Sequence, residues 1–373
     1  MTDRAQTPDE ALTPAPLPAE SRKRQEEENE GRRRGFVREG SMAPFARLTP
    51  DLILNAVDSL GLPTSGQLLA LNSYENRVFQ VGLDDPEAPR RAPVVVKFYR
   101  PDRWTDAQIL EEHAFMAELV EAEVPAVAPW ATHERTLHHY EGFRFAVFER
   151  RGGRAPELSD RTVLERIGRF LGRLHAVGGR TAYRQRPALD IDSFGVEPST
   201  YLLEAGWIPP DLAEVYRGVV RDAIDEARRC FERAGRVRRL RLHGDCHEGN
   251  LLWTDTGAQP GPHFVDFDDS RLGPAVQDLW MLLSGSRQDM QRQLSDLLAG
   301  YEDFAEFDPH ELQLVEALRT LRLIHYSAWI ARRWQDPAFP AAFPWFNSPR
   351  TWEARILELR EQIAAMQEPA LAV

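Results

Sequence analysis

The sequence predicts an α+β fold of two lobes, in which a small strand-rich lobe is followed by a larger helical lobe. The chain has 373 residues, more than one hydrophobic core usually serves. Strand-like runs dominate its first part, whereas apolar residues recur mostly at helical spacing from about residue 158 onward. We therefore expect the first lobe at residues 46–150 and the second at residues 151–373.

A separate compositional zone precedes these lobes. Residues 1–45 contain few apolar side chains, with prolines at 14–18 and mixed charges at 22–34. Such a segment buries too little surface to offset its ordering entropy, which predicts a disordered extension. A docking or autoregulatory role for it stays open.

The predicted first lobe begins with a helix from Thr49-Pro50-Asp51 to Gly61-Leu62-Pro63. Alternating apolar residues then predict three strands, and Asp84-Asp85-Pro86-Glu87 predicts a turn before the third. A helix and a hairpin follow. The predicted strands lie at 67–71, 77–83 and 93–99, the helix at 105–119, and the hairpin strands at 136–140 and 143–148.

The predicted second lobe has helices at 161–176, 212–234 and 309–334. A strand–turn–strand unit at 239–267 lies between the second and the third. Pro337, Pro340 and Pro344 fall close together, so we expect an ordered connector without regular helix at 337–345.

Composition narrows the class of protein. The net charge of -12 argues against general affinity for nucleic acid or anionic membranes. No secretory signal begins the chain, and no apolar run is long enough to span a bilayer. Two cysteines, Cys230 and Cys246, fit neither a disulfide framework nor a zinc motif. We expect a soluble monomer in a reducing cytoplasm, without nucleic-acid or membrane partners.

The chemistry-bearing residues lie in the strand–turn–strand unit. Residues 243–250 read HGDCHEGN, so Asn250 follows Asp245 by five residues, and Asp266 follows Asp245 by 21. Phosphoryl transfer from ATP needs a carboxylate to accept the proton of the attacking hydroxyl, and an amide and a carboxylate to hold Mg²⁺. The spacing predicts Asp245 as the proton acceptor and Asn250 with Asp266 as the metal ligands, which makes Asp266 part of the catalytic set.

Neighbouring residues allow more than one interpretation. Asp268 is either a ligand of a second metal or a solvated turn residue, and Asp269 is interpreted as structural. Asp278 is predicted to bond backbone near the metal loop, and His243 to orient the catalytic loop by hydrogen bonding.

Two residues of the first lobe are candidates for nucleotide binding. Lys97 ends the apolar run Val94-Val95-Val96, where a charge needs a partner unless it reaches solvent. Kinases pair such a lysine with a helix glutamate, for which Glu112 is preferred and Glu111 is the fallback. Residues 72–77 read NSYENR instead of a glycine-rich loop, so Ser73 and nearby N–H groups either cradle phosphate or form a plain hairpin turn.

The motif resembles the aminoglycoside phosphotransferase and choline kinase branch of the kinase fold. Blocks at 72–78, 95–104 (VVKFYRPDRW), 108–113, 242–250 and 273–283 further resemble the stress response kinase A family of bacterial serine/threonine protein kinases. This resemblance implies a bilobal kinase-like fold, ATP contact by Ser73, and the metal and catalytic roles given above. It also implies a function in the stress response, with Ser or Thr hydroxyls of proteins, including its own, as acceptors.

Two alternatives remain. A small-molecule kinase for an aminoglycoside, a choline-like alcohol or homoserine would use the same catalytic residues. A non-enzymatic pseudokinase scaffold is disfavoured because Lys97, Asp245, Asn250 and Asp266 are all present.

Overall fold

The computed structural model describes residues 43–84, 92–256 and 260–372. Its first part is an antiparallel five-stranded sheet in the order β1-β2-β3-β5-β4. The elements in chain order are α1 (Pro50–Asp58), β1 (Thr64–Leu71), β2 (Arg77–Leu83), β3 (Val94–Phe98), α2 (Asp106–Glu121), β4 (His138–Tyr140) and β5 (Phe143–Glu149).

Side-chain caps fix where the two helices of this part begin. The Thr49 hydroxyl accepts the Leu52 N–H at the start of α1, and Pro50 occupies the first turn. Thr105 and Gln108 form a capping box at the start of α2. Glu112 lies on the buried face of α2, together with Ile109 and Met116.

A residue near the start of the described part of the chain, Phe45, packs against the sheet. Residues 1–42 of the predicted tail lie outside the described residues, as does the predicted turn from residue 85 onward. Phe45 is buried and stacks on Phe143 with ring centroids 6.5 Å apart. It therefore belongs to the core beneath the sheet.

The second part is mostly helical. Its helices are α3 (Arg161–Gly178), α4 (Glu197–Glu204), α5 (Pro210–Ala234), α6 (Val276–Trp280), α7 (Arg287–Tyr301), α8 (Val315–Arg332), α9 (Ala338–Ala342) and α10 (Pro349–Gln367). Two small antiparallel sheets pair β6 (Leu240–Arg241) with β9 (Leu272–Gly273), and β7 (Leu251–Thr254) with β8 (Gly261–Phe264). The predicted α+β class is confirmed. No helix in the described ranges is long and apolar enough to cross a membrane.

The structure corrects two local predictions. Residues 338–342 form α9, although three nearby prolines were expected to exclude regular helix. Pro340 is tolerated because it lies in the first turn, where backbone N–H groups have no partner within the helix. The predicted helix at 309–334 begins as a 3₁₀ turn, Pro309–Leu314, and becomes α8 only at Val315.

Candidate active site

The loop between β6 and β7 is held in place by the Asp278 carboxylate, which α6 contributes. Its two oxygens accept the N–H groups of His243 and Gly244 at 2.8 and 2.9 Å, and His175 Nε2 lies 3.1 Å from it. Asp278 is completely buried. Two consecutive backbone bonds to one rigid carboxylate fix the direction of the loop, as predicted for Asp278.

Two features of the loop aim Asp245. His243 Nε2 lies 2.9 Å from the Val265 carbonyl oxygen, and its Nδ1 accepts the Asp245 N–H at 3.3 Å, so the ring links the loop to the segment before Asp266. Gly244 has φ +89°, and a Cβ there would lie 2.1 Å from the Asp269 carbonyl oxygen. Glycine is therefore required immediately before Asp245.

Asn250 connects Asp245 with the segment that carries Asp266. Its side-chain Nδ2 donates to the Asp245 carbonyl at 2.9 Å and lies 3.5 Å from Asp245 Oδ2. Its backbone carbonyl accepts the Val265 N–H at 3.1 Å, which brings the following residue, Asp266, alongside. Because Nδ2 is engaged, the neutral Oδ1 of Asn250 is the atom that suits a metal.

Asp266 lies directly opposite Lys97. The two side chains form an ion pair with 2.8 Å between Nζ and Oδ1. Asp266 adopts a left-handed backbone, φ 60° and ψ 65°, which aspartate tolerates better than most residues. Its side chain keeps 51% of its surface exposed, so the carboxylate remains accessible from the cleft.

The structure gives Lys97 a different partner from the predicted glutamate. Lys97 Nζ also lies 3.1 Å from Asp268, whereas Glu112 pairs with the fully buried Arg186 at 3.2 Å. The fallback, Glu111, instead accepts backbone N–H groups at residues 184–186. The predicted pairing is wrong because Arg186, from a distant irregular segment, forms the ion pair with Glu112.

Burial and charge have opposite effects on these groups. Burial alone would lower the pKa of Lys97, but Asp266, Asp268 and Glu112 raise it above its ordinary value. Lys97 is therefore a stable cation in the cleft. Burial raises the pKa of Glu112 to about 7 despite the nearby cations Arg186 and Lys97.

Asp268 and Asp269 are held by arginines. Asp268 pairs with Arg103 as well as Lys97 and has only 5% of its side chain exposed, so its interpretation as a solvated turn residue is wrong. Asp269 pairs with Arg103 and Arg271, each at 2.8 Å, in agreement with the predicted structural role. Although burial opposes ionisation, these arginines lower the pKa of both carboxyls.

A cavity of about 310 Å³ between the two parts collects most of the predicted site residues. Its walls also include apolar side chains of β2, β3 and β5. The predicted residues that line it are Ser73, Lys97, Glu112, Asn250 and Asp266. The Ser73 hydroxyl donates to the Asn76 carbonyl at 3.3 Å within the β1–β2 loop. Asp245 does not line the cavity, but its backbone carbonyl accepts a hydrogen bond from the lining residue Asn250.

Asp245 has its own charged environment. Arg322 of α8 pairs with Oδ1 at 2.6 Å, and His247 Nε2 lies 3.5 Å from Oδ2. Burial would raise the pKa of Asp245, but His247 and Arg322 outweigh it and lower the pKa. The carboxylate is therefore ionised and able to accept a proton.

The oxygen atoms fit a hard divalent cation. Asn250 Oδ1 is neutral, Asp266 is anionic and half exposed, and both face the cavity. Two protein ligands leave positions for phosphate oxygens and water, as Mg²⁺ requires. The described residues hold no cluster of three or more His, Cys, Asp or Glu side chains that would form an all-protein cage.

Sequence reasoning missed three arginines that shape the site. Arg103 was visible only as part of the block at 95–104, and Arg322 only as one cation on a predicted helix. Arg186 donates to the carbonyls of Phe267, Asp268 and Ser270 from an irregular segment. Nothing in its local sequence indicates that contact.

The fold and this cleft, lined by Lys97, Asn250 and Asp266 with Asp245 behind Asn250, define an ATP-dependent phosphotransferase. Residues 67–315 match the model of the phosphotransferase enzyme family APH. Stress response kinase A of Escherichia coli strain K12 is 44% identical over 327 residues, which cover 88% of this chain and 96% of that protein. Serine/threonine protein kinase RdoA of Salmonella typhimurium is 41% identical over the same shares.

Solved structures agree on the fold. Amicoumacin kinase hAmiN, in complex with AMP-PNP, Ca²⁺ and Ami, has a TM-score of 0.64 at 18% identity, and the match covers 85% of this chain and 93% of that one. A microcompartment-associated aminopropanol kinase has a TM-score of 0.61 at 18% identity, covering 84% and 96%. The chain belongs to the APH phosphotransferase family and, within it, to the stress response kinase A proteins.

Proposed function

We propose that this chain is a Mg²⁺-dependent protein kinase of the bacterial stress response that transfers the γ-phosphoryl group of ATP to Ser or Thr hydroxyls, including its own. The observation that carries the proposal is the convergence of Lys97, Asn250 and Asp266 on one cavity, with Asp245 bonded to Asn250 at 2.9 Å. Relatives more than 40% identical carry the names stress response kinase A and serine/threonine protein kinase.

Each residue has a distinct role in the proposed reaction. Lys97, held charged by Asp266 and Asp268, binds phosphate oxygens of ATP. Asn250 and Asp266 would hold Mg²⁺, which when bound would offset negative charge on the phosphates of ATP. Ser73 and backbone N–H groups of the β1–β2 loop cover the phosphates.

Asp245 aligns the acceptor. Its ionised carboxylate accepts a hydrogen bond from the hydroxyl, whose oxygen then bonds to the γ-phosphorus while the bond to the β-phosphate oxygen breaks and ADP leaves. The hydroxyl proton passes to Asp245 and then to solvent. The fixed loop described above keeps Asp245 in place during this step.

We further propose that the chain is a cytoplasmic monomer whose substrates are proteins. We propose that it binds neither nucleic acid nor membranes. Both Cys230 and Cys246 are free and buried, which suits a reducing compartment. The net charge of -12 favours partners other than nucleic acid.

Radiolabel transfer from ATP tests the proposed function. The chain is incubated with Mg²⁺ and labelled ATP, alone, with generic protein substrates, and with a panel of amino alcohols, aminoglycosides and homoserine. We expect label on Ser or Thr of protein, located by phosphosite mapping and absent with Asp245→Asn. Label on small alcohols alone would make it a small-molecule kinase, and Mg²⁺-dependent ATP binding without any transfer would make it a pseudokinase.

A further inference from the structure

The catalytic carboxylate has an arginine bound to it. Arg322, on α8, lies 2.6 Å from Asp245 Oδ1, and 38% of its side chain is exposed to solvent. It is therefore available to a ligand that approaches Asp245. The mechanism given above requires Asp245 but assigns nothing to Arg322.

Most charges near this ion pair are already balanced. Asp269, a second carboxylate that interacts with this pair, has partners in Arg103 and Arg271 at 2.8 Å each. Arg319, one turn before Arg322, pairs with Glu316 on the same helix. Arg322 is thus the cation whose partner is the reactive group itself. When the acceptor hydroxyl bonds to Asp245, the guanidinium shares that carboxylate with the hydroxyl, and its exposed side can bind a second anion.

Distance ties the acceptor to Arg322. A hydroxyl oxygen hydrogen-bonded to Asp245 Oδ1 lies at most about 5.3 Å from the guanidinium nitrogen, because a normal hydrogen bond adds about 2.7 Å to the ion-pair distance of 2.6 Å. A side chain next to that hydroxyl is therefore within reach of Arg322. An acidic side chain is attracted there, and an amine is repelled.

We propose that Arg322 determines acceptor specificity and selects a Ser or Thr flanked by Asp or Glu. The acidic neighbour takes over the guanidinium and leaves Asp245 Oδ1 free for the hydroxyl. This inference rests on the proposed protein-kinase function and adds the class of acceptor to it. Arginine suits the task because its planar fork binds a carboxylate with two parallel bonds.

Two peptides that differ only at the positions flanking one Ser, Asp in one and Lys in the other, test this. The full chain should phosphorylate the acidic peptide with at least a tenfold higher kcat/KM. Arg322→Met should remove that preference, because the KM for the acidic peptide should rise much more than the KM for the basic peptide. Arg322→Lys should keep part of the preference.

The control is Arg332→Met, an exposed arginine at the far end of the same helix. It should leave the acidic preference and the KM values unchanged. Equal activity on both peptides, a basic preference, or an equal loss on both peptides in Arg322→Met would each overturn the inference alone. If the unmodified chain labels small alcohols but neither peptide nor itself, the proposed function fails and this inference fails with it.

Discussion

Two loops meet at the mouth of the cleft, and the chain holds them in different ways. The catalytic loop at 243–250 is fixed by Asp278 and His243 through bonds to backbone groups, so the Asp245 carboxylate is not needed to hold the loop. The β1–β2 loop at 72–76 is fixed by buried charges. Glu75 bonds Arg333 at 2.9 Å and Trp329 at 2.5 Å.

The charged network of the β1–β2 loop spans both parts of the molecule. Arg77 of β2 and Arg100, two residues after β3, pair with Asp336, which lies just after α8, at 2.8 and 2.6 Å. Arg100 also lies 3.1 Å from Glu75. This loop therefore needs no run of glycines, because ion pairs with the helical part set its shape. The difference indicates that backbone hydrogen bonds to one buried carboxylate hold the catalytic loop, whereas side-chain ion pairs with the helical part hold the β1–β2 loop.

Asp278→Ala should have the largest effect on stability. It leaves the buried N–H groups of His243 and Gly244 and the ring of His175 without their partner, which should lower the free energy of unfolding by about 3–5 kcal/mol. Phosphoryl transfer should fall as well, because the loop direction is lost. Denaturant unfolding measures the first effect. Asp303→Ala, which removes an exposed carboxylate paired with Arg169, is the control and should cost less than about 1 kcal/mol. An equal cost for both variants would contradict the role given to Asp278.

Glu75→Ala should have the second largest effect on stability. Arg333 and the Trp329 N–H lose a buried partner, so we expect a loss of about 2–4 kcal/mol and a higher KM for ATP. A double-mutant cycle with Arg333→Ala isolates the pair. The double variant should be more stable than the sum of the two losses predicts, by about 1–3 kcal/mol. Additive losses would show that the network does not hold this loop.

Glu311→Gln should change how stability depends on pH. Glu311 accepts the Val276 N–H at 2.8 Å, and burial raises its pKa to about 7, above the unfolded value of about 4.3. Between these values the folded state binds more protons, so its stability falls as pH rises. Glutamine keeps the bond without ionising. The variant should therefore melt about 2–4 °C above the unmodified chain at pH 8, with a smaller gain at pH 5. An equal gain at both pH values would contradict this.

Ser73→Ala should have the smallest effect. Removing one hydroxyl near the phosphates should raise the KM for ATP by less than about tenfold, which corresponds to one hydrogen bond. The kcat value should not change, because the backbone of the loop remains in place. Steady-state kinetics at saturating acceptor measures both, and a large fall in kcat would show that Ser73 acts in the chemical step.

The sequence predicted the local parts of the site and missed its long-range pairs. Asp245, Asn250 and Asp266 could be predicted because one strand–turn–strand unit carries all three, so their spacing determines their arrangement. The partner of Lys97 could not be predicted. Asp266, which pairs with Lys97, and Arg186, which pairs with Glu112, both come from segments far along the chain. Helical spacing correctly placed Glu112 on the buried face of α2. Periodicity identifies that face, but it does not identify the charged residue that packs against it. Arg322 was missed for the same reason.

The most direct test of the central claim compares Mg-ATP binding and phosphoryl transfer in the unmodified chain and in Asp245→Asn. Asparagine preserves the shape of the side chain and leaves Lys97, Asn250 and Asp266 in place, so both proteins should show the same Mg²⁺-dependent rise in melting temperature with ATP. Transfer should fall about 10²–10⁴-fold in the variant, because the hydroxyl loses its proton acceptor. Transfer by Asp245→Asn at the rate of the unmodified chain would contradict the account.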